Sequence, residues 1–96
     1  MHRYLITGGA GFIGSNAADF YLSGGHQVTI LDDFSRPGSE RNLAWLESRH
    51  GNGFEVVRAD IRSASPALSK AAANADVVFH LAARFGYGND ESRSLR

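Results

Sequence analysis

The stretch that decides the fold reads Gly8-Gly9-Ala10-Gly11-Phe12-Ile13-Gly14. It follows an apolar run at residues 4–7, which is typical of a buried parallel strand, and it opens a helical pattern at residues 12–22. A second apolar run at residues 27–31 then ends at Asp32. This order predicts a strand, a helix and a second parallel strand, with a glycine-rich turn between the first two.

Each glycine of the motif has its own task in such a turn. Gly8 lets the chain leave the strand sharply, Gly11 leaves its backbone open to close approach, and Gly14 lets the helix pack tightly against the sheet. The first N–H groups of a helix have no partner within it, and the helix dipole adds about half a positive charge there. The spacing therefore predicts a pyrophosphate over the helix start. The alternative is a tight turn that binds no ligand.

The end of the second strand indicates which dinucleotide binds. A carboxylate at Asp32 can accept hydrogen bonds from the ribose hydroxyls of adenosine and would repel a 2′-phosphate, which favours NAD over NADP. Asp33 adds to this repulsion, whereas the guanidinium of Arg36 could pair with a 2′-phosphate and is an argument for NADP. Asp33 and Arg36 could also form an exposed loop pair of little consequence. We expect NAD as the cofactor.

The remaining sequence predicts two more helices and two more strands. Residues 35–39 form a cluster of turn residues, and Ser39 is expected to cap the helix that follows. A strand is predicted at residues 54–58, a short alanine-rich helix at residues 67–73 and a strand at residues 76–80. The predicted fold class is therefore α/β, a Rossmann-like parallel sheet of about four strands with helices on both faces.

The ends of the third and fourth strands complete the candidate site, because open α/β sheets bind ligands at the carboxyl ends of their strands. Asp60 lies just past the third strand and could meet the adenine edge of the cofactor, or it could cap the next turn. Leu81, Ala82 and Ala83 follow the fourth strand. The small side chains among them would leave room for a ribose or a pyrophosphate, or they could form a packed loop.

Composition narrows the function classes. Ten basic residues balance ten acidic ones and the isoelectric point is near 6.9, so no long-range field attracts nucleic acid or an anionic membrane. The chain has no cysteine, which removes disulfides and thiolate metal sites and is compatible with the cytoplasm. Its four histidines lie far apart on different predicted elements. We therefore expect a cytoplasmic protein that binds no metal, nucleic acid or membrane.

Taken together, these motifs resemble a known family. Residues 7–16, the pair Asp32-Asp33 and residues 59–62 and 80–83 resemble the extended short-chain dehydrogenase/reductase superfamily of NAD-dependent nucleotide-sugar epimerases and dehydratases. Within it, residues 35–46 are most similar to the CDP-paratose (CDP-tyvelose) 2-epimerase branch.

The resemblance covers about residues 3–83 and implies a role for each motif. It implies that Asp32 holds the ribose, and that the pyrophosphate is cradled by Gly8, Gly11, Phe12, Ile13 and Gly14. It further implies that Asp60 and Ile61 frame the adenine, and that Leu81, Ala82 and Ala83 border the cofactor. We add three residues of the loop beside Asp32 to the candidate cofactor-binding set, namely Asp33, Ser35 and Arg36.

The sequence departs from the family pattern at two places. Asp33 stands where the family usually has an asparagine. After Ala83 the likeness ends, and the polar, glycine-containing residues 84–96 are expected to form an irregular or disordered tail. Residues 1–83 would then be the NAD-binding domain.

No catalytic residue is expected in this chain. The family's chemistry needs a tyrosine and a lysine four residues later on the same helix face. The only lysine is Lys70, which has Pro66 four residues before it, and none of the three tyrosines is followed at that spacing by a lysine. We expect the NAD-binding, N-terminal portion of a nucleotide-sugar epimerase or dehydratase, which would meet its sugar nucleotide only in an intact parent protein. The alternative is a non-catalytic NAD-binding module that pairs with a partner, or with a second copy, through its exposed sheet edge.

Overall fold

The computed structural model describes residues 1–60 and 66–81 of the chain. Within these residues strands and helices alternate, and four strands form one parallel sheet in the order β3-β2-β1-β4. This arrangement confirms the predicted α/β class. The elements are β1 (Arg3–Thr7), α1 (Phe12–Ser23), β2 (Gln27–Asp32), α2 (Ser39–His50), β3 (Glu55–Arg58), α3 (Pro66–Ala73) and β4 (Val77–His80).

Strand β1 lies in the middle of the sheet, with β2 on one side and β4 on the other. Thr7 pairs in register with Leu31 and with His80, and Asp32 pairs with Arg58. Because all four strands are parallel, their carboxyl ends lie along one edge of the sheet. The strand ends that the sequence singled out therefore share this edge.

The core lies between the sheet and helices α1 and α2. Ile6, Val28 and Ile30 project from alternate strand positions and pack with Ala18 of α1 and Leu46 of α2, and all five are buried. Side chains alternate between the two faces of a strand, so these three strand residues point to the same face. Burial of their apolar surface holds α1 and α2 over that face of the sheet.

The opposite face of the sheet lies under α3. Leu5, Thr29 and Val57 of the strands, together with Lys70 and Ala71 of α3, line an open groove of ≈ 760 Å³. Helices therefore lie on both faces, as the sequence predicts. The longest helices, α1 and α2, have 12 residues each, and no helix within the described residues is long and apolar enough to span a bilayer.

Helix α2 begins differently from the prediction. Its N-cap is Gly38, which has a φ of +88° in the left-handed region, and Ser39 is the first helical residue. The Ser39 hydroxyl donates to the carbonyl oxygen of Arg36, so it does not accept a bond from a helix N–H group. The expectation that Ser39 caps α2 is wrong, because the left-handed glycine makes the turn and the serine hydroxyl faces back to the loop.

A charged cluster joins α1 to α2. Asp19 Oδ1 accepts a hydrogen bond from Arg49 Nε at 2.6 Å and lies 2.8 Å from His50 Nε2. The hydrogen bond from Arg49, followed by that from His50, lowers the pKa of Asp19 below its ordinary range. The cluster therefore stabilises the contact between the two helices only while Asp19 is ionised.

We expect Asp19→Asn to lower the free energy of unfolding by about 1 kcal/mol at neutral pH. Because the folded-state pKa of Asp19 is lowered, its stabilisation is complete above the unfolded-state pKa and is lost as the pH falls through the folded-state value. The unfolding free energies of the wild-type chain and the variant should therefore converge in the acid range below the ordinary pKa of aspartate. Urea unfolding across that range measures this, and a difference that stays constant with pH would contradict it.

Candidate functional site

A cavity of ≈ 230 Å³ opens at the carboxyl edge of the sheet, between the β1–α1 turn and the loop that joins β2 to α2. Open parallel α/β sheets bind their ligands at such an edge. The cavity brings together much of the candidate set from the sequence. The candidate residues that line it are Gly8, Gly11, Phe12, Asp32, Asp33, Ser35 and Arg36.

Gly8 and Gly14 have different structural reasons to be glycine. Gly8 has a φ of +73°, which turns the chain sharply away from β1. A Cβ atom on Gly14 would lie 2.3 Å from the carbonyl oxygen of Gly8 and 2.7 Å from the Cα atom of Gly9. Because Gly14 has no Cβ atom, α1 can pack directly onto the turn. Gly14 is itself buried and does not line the cavity.

The amino end of α1 is uncapped. Its N-cap is Gly11, no side chain among residues 1–60 and 66–81 caps it, and its first turn contains no acidic residue. The N–H groups of Phe12, Ile13 and Gly14 lie ahead of the bond from Ser15 N to Gly11 O, which is 2.9 Å long. The side chains of Phe12 and Ile13 are 77% and 70% exposed. An anion would therefore bind to the backbone N–H groups of these residues, at the positive end of the helix dipole.

The carboxylate of Asp32 is oriented by two backbone groups. Its Oδ2 accepts a hydrogen bond from Ala10 N at 3.0 Å, and its Oδ1 accepts one from Phe34 N at 2.8 Å. Asp32 thereby connects the glycine-rich turn to the loop after β2. Each carboxylate oxygen has a second lone pair, so the group can still accept hydrogen bonds from ligand hydroxyls.

Asp33 and Ser35 form a local turn at the rim of the cavity. Asp33 Oδ1 accepts hydrogen bonds from Ser35 N at 3.0 Å and from Ser35 Oγ at 2.8 Å, which is the pattern of an aspartate-stabilised turn. Arg36 lines the cavity as well. Two carboxylates, which favour NAD, and one guanidinium, which could pair with the 2′-phosphate of NADP, therefore lie at the same rim.

Phe34 and Arg58 stabilise this loop from the side of β3. Phe34 has a φ of +59°, which is uncommon for a residue other than glycine. The Arg58 guanidinium carbon lies 4.0 Å from the centre of the Phe34 ring, and the same guanidinium donates to both carboxylate oxygens of Glu40 at 2.7 and 3.1 Å. The hydrogen bond from Arg58 lowers the pKa of Glu40. Arg58 therefore connects the loop to the first turn of α2.

The exit of β3 reaches the cavity at Ala59, whereas Leu81 at the exit of β4 does not line it. Ala59 lines it and donates from its N–H to the carbonyl oxygen of Asp32 at 3.0 Å. Leu81 N donates to the carbonyl oxygen of Thr7 at 3.0 Å, beside the end of β1. The described candidates that do not line the cavity are Ile13, Gly14, Asp60 and Leu81. The candidates Ile61, Ala82 and Ala83 and the proposed tail at residues 84–96 lie outside the described residues.

Sequence reasoning missed several residues of this site. Asn42 Nδ2 donates to the carbonyl oxygen of Ala10 at 2.8 Å, a contact between positions 32 residues apart that no local pattern indicates. A Cβ atom on Gly9 would lie 2.6 Å from Ile30 Cγ2, so the motif's remaining glycine is also needed for packing. The glycine run itself could have indicated Gly9. Besides Asn42, the lining residues that were missed are Ala10, Leu31, Pro37, Ser39 and Ala59.

Comparison with known sequences gives consistent matches. The profile of a family described as the NAD dependent epimerase/dehydratase family matches residues 4–96, which extends past Ala83. The CDP-paratose 2-epimerase of Salmonella typhi is 52% identical over 61 residues, covering 64% of this chain and 18% of that protein. The UDP-glucose 4-epimerase of Mycolicibacterium smegmatis is 45% identical over 82 residues, covering 85% of this chain and 25% of that protein. The chain therefore spans 18–25% of the length of these two relatives.

A solved structure supports the same relationship. The UDP-glucuronic acid 4-epimerase from Bacillus cereus, determined in complex with NAD, superposes with a TM-score of 0.72 and 36% identity. The superposition covers 90% of this chain and 28% of that one. The four-stranded sheet and its helices thus recur in a protein that carries NAD.

Proposed function

Since the chain belongs to the NAD dependent epimerase/dehydratase family, we propose that it binds NAD at the carboxyl edge of its sheet. The observation that carries the proposal is that the uncapped amino end of α1 and the carboxylate of Asp32 meet at one cavity. A positive helix end suits a pyrophosphate, and an oriented carboxylate suits a pair of ribose hydroxyls. Together they match the pyrophosphate and the ribose in the ADP portion of a dinucleotide.

The pyrophosphate rests on the glycine-rich turn in this proposal. The first-turn N–H groups of α1 donate to its oxygens, and the absence of side chains at Gly8 and Gly11 permits the approach. Phe12 and Ile13 contribute through their backbone N–H groups. Gly14 contributes indirectly, because it keeps α1 against the turn.

The adenosine lies across the ends of β2 and β3. Asp32 accepts hydrogen bonds from the ribose hydroxyls with the lone pairs that Ala10 N and Phe34 N leave available. Asp60 and Ile61 are proposed to frame the adenine. Leu81, Ala82 and Ala83 are proposed to border the cofactor at the end of β4.

Bound NAD supplies a hydride acceptor, and the residues of this chain hold and orient it. The proton transfers need a tyrosine and a lysine four residues apart on a helix, a pair that these 96 residues do not contain. We assign catalysis and sugar recognition to parts of the relatives' length that this chain does not cover. The proposed parent reaction is transient oxidation of a nucleotide-linked sugar, followed by epimerisation and return of the hydride.

A CDP-linked sugar is the proposed substrate of the parent protein. The identity of 52% over 61 residues to a CDP-paratose 2-epimerase supports this choice over a UDP-linked sugar. Comparing turnover of a CDP-sugar and a UDP-sugar by the whole protein tests this part of the proposal separately from NAD binding.

We expect the 96-residue chain to bind NAD and to bind NADP at least about tenfold more weakly. The 2′-phosphate carries up to about two negative charges and would meet the carboxylates of Asp32 and Asp33. Calorimetric titration with each dinucleotide at one salt concentration measures the ratio. Equal affinities, or tighter binding of NADP, would show that Arg36 outweighs the two carboxylates.

A further inference from the structure

Asn42 connects helix α2 to the glycine-rich turn. Its Nδ2 donates to the carbonyl oxygen of Ala10 at 2.8 Å. Ala10 has no exposed surface, so its carbonyl is shielded from bulk water and needs a partner within the protein. Asn42 supplies that partner from a different element of the fold.

The peptide that joins Ala10 to Gly11 is therefore fixed at both of its polar groups. Its carbonyl oxygen accepts from Asn42, and its N–H, that of Gly11, donates to the carbonyl oxygen of Gly8 at 3.0 Å. The preceding peptide is fixed as well, because Ala10 N donates to Asp32 Oδ2 at 3.0 Å. Asp32 and Asn42 thus fix the turn at Ala10, Asp32 through the N–H group and Asn42 through the carbonyl oxygen.

The orientation of this peptide matters for an anion. Ala10 has a glycine on each side, and peptides beside glycine rotate with little steric cost. A half-turn of this peptide would bring the Ala10 carbonyl to the side where the Gly11 N–H now donates to the carbonyl oxygen of Gly8, and that hydrogen bond would be lost. Ala10, Gly11 and Asn42 all line the cavity, so the rotation would disturb the turn on which a pyrophosphate would rest. The hydrogen bond from Asn42 disfavours the rotation.

We infer that Asn42 is a positioning residue for the pyrophosphate, acting through the Ala10 carbonyl and without touching the phosphates. The inference rests on the proposed NAD site and adds a residue from α2 to it. Loss of the Asn42 side chain should therefore weaken binding of the pyrophosphate and leave the ribose contact of Asp32 in place.

The test compares two probes on the 96-residue chain and its Asn42→Leu variant, which keeps the branched shape but has no donor. ADP-ribose contains the pyrophosphate, whereas adenosine contains the adenine and ribose alone. We expect the variant to bind ADP-ribose about tenfold more weakly and adenosine within about twofold of the wild-type chain. Calorimetry measures the first affinity and an NMR titration the second. An unfolded fraction would lower both affinities by one factor, so their ratio reports positioning separately from stability.

Two further variants complete the experiment. Asn42→Ala should give the same selective loss, and Asn74→Leu, an exposed asparagine just after α3, should leave both affinities unchanged. Equal losses for the two probes, or no loss for either, would overturn the role of Asn42 while leaving the NAD site intact. A wild-type chain that binds neither probe would overturn the proposed function and this inference with it.

Discussion

Replacing Asp32 with asparagine should weaken NAD binding by at least about a hundredfold. The carboxylate accepts backbone hydrogen bonds at both oxygens, from Ala10 N and from Phe34 N. An asparagine has one acceptor oxygen, so its NH₂ group would face one of these donors and leave it unpaired. The ribose hydroxyls would also lose a charged acceptor. Calorimetric titration of NAD into the variant, with circular dichroism to confirm that it is folded, measures the loss.

Asp19→Asn provides the matched control for this prediction. It makes the same chemical change at a carboxylate that also accepts two hydrogen bonds, but it lies at the α1–α2 contact and not in the cavity. Its affinity for NAD should stay within about twofold of the wild-type value. If Asp32→Asn bound NAD as tightly as Asp19→Asn does, Asp32 would have no part in the cofactor site.

Gly14→Ala should destabilise the fold by about 3 kcal/mol or more. The added Cβ atom would lie 2.3 Å from the carbonyl oxygen of Gly8 and 2.7 Å from the Cα atom of Gly9. Both obstacles are backbone atoms of a turn that several hydrogen bonds hold, so relief requires α1 to move away from the sheet. Urea unfolding followed by circular dichroism gives the change in free energy.

Gly24→Ala is the control for this second substitution. Gly24 ends α1 with a φ of −84°, and the nearest atom to its added Cβ lies 3.4 Å away, which is an ordinary contact. The free energy of unfolding should change by no more than about 0.5 kcal/mol. Equal effects at the two glycines would mean that close packing of α1 on the turn is not what requires Gly14.

The order of elements and the position of the candidate site at the carboxyl edge could be predicted because both follow from local patterns. The apolar runs fix the strands, and the glycine-rich motif fixes the turn and the start of α1. Parallel pairing then brings the strand ends to one edge. This is why Asp32 and the motif meet at a single cavity although Asp32 lies 18 positions after Gly14. The α/β class and the carboxyl-edge position needed no knowledge of side-chain contacts.

What the sequence could not provide were contacts between side chains and distant backbone. Asn42 lies within an ordinary helical pattern, and its bond to Ala10 depends on how α2 approaches the turn. The left-handed backbone of Phe34 and its contact with Arg58 depend on the path of a loop that no regular spacing specifies. The capping of α2 by Gly38 was missed because Ser39 offered a common alternative.

In the proposed complex, a pyrophosphate lies on the amino end of α1 and Asp32 holds the adenosine ribose. The most direct measurement is an NMR titration of NAD into the ¹⁵N-labelled 96-residue chain, following every backbone amide. We expect the largest shifts at the amides of residues 11–14 and at Phe34, whose N–H donates to Asp32 Oδ1. Shifts confined to the groove beneath α3, around Lys70 and Ala71, with none at the glycine-rich turn, would contradict the proposed complex.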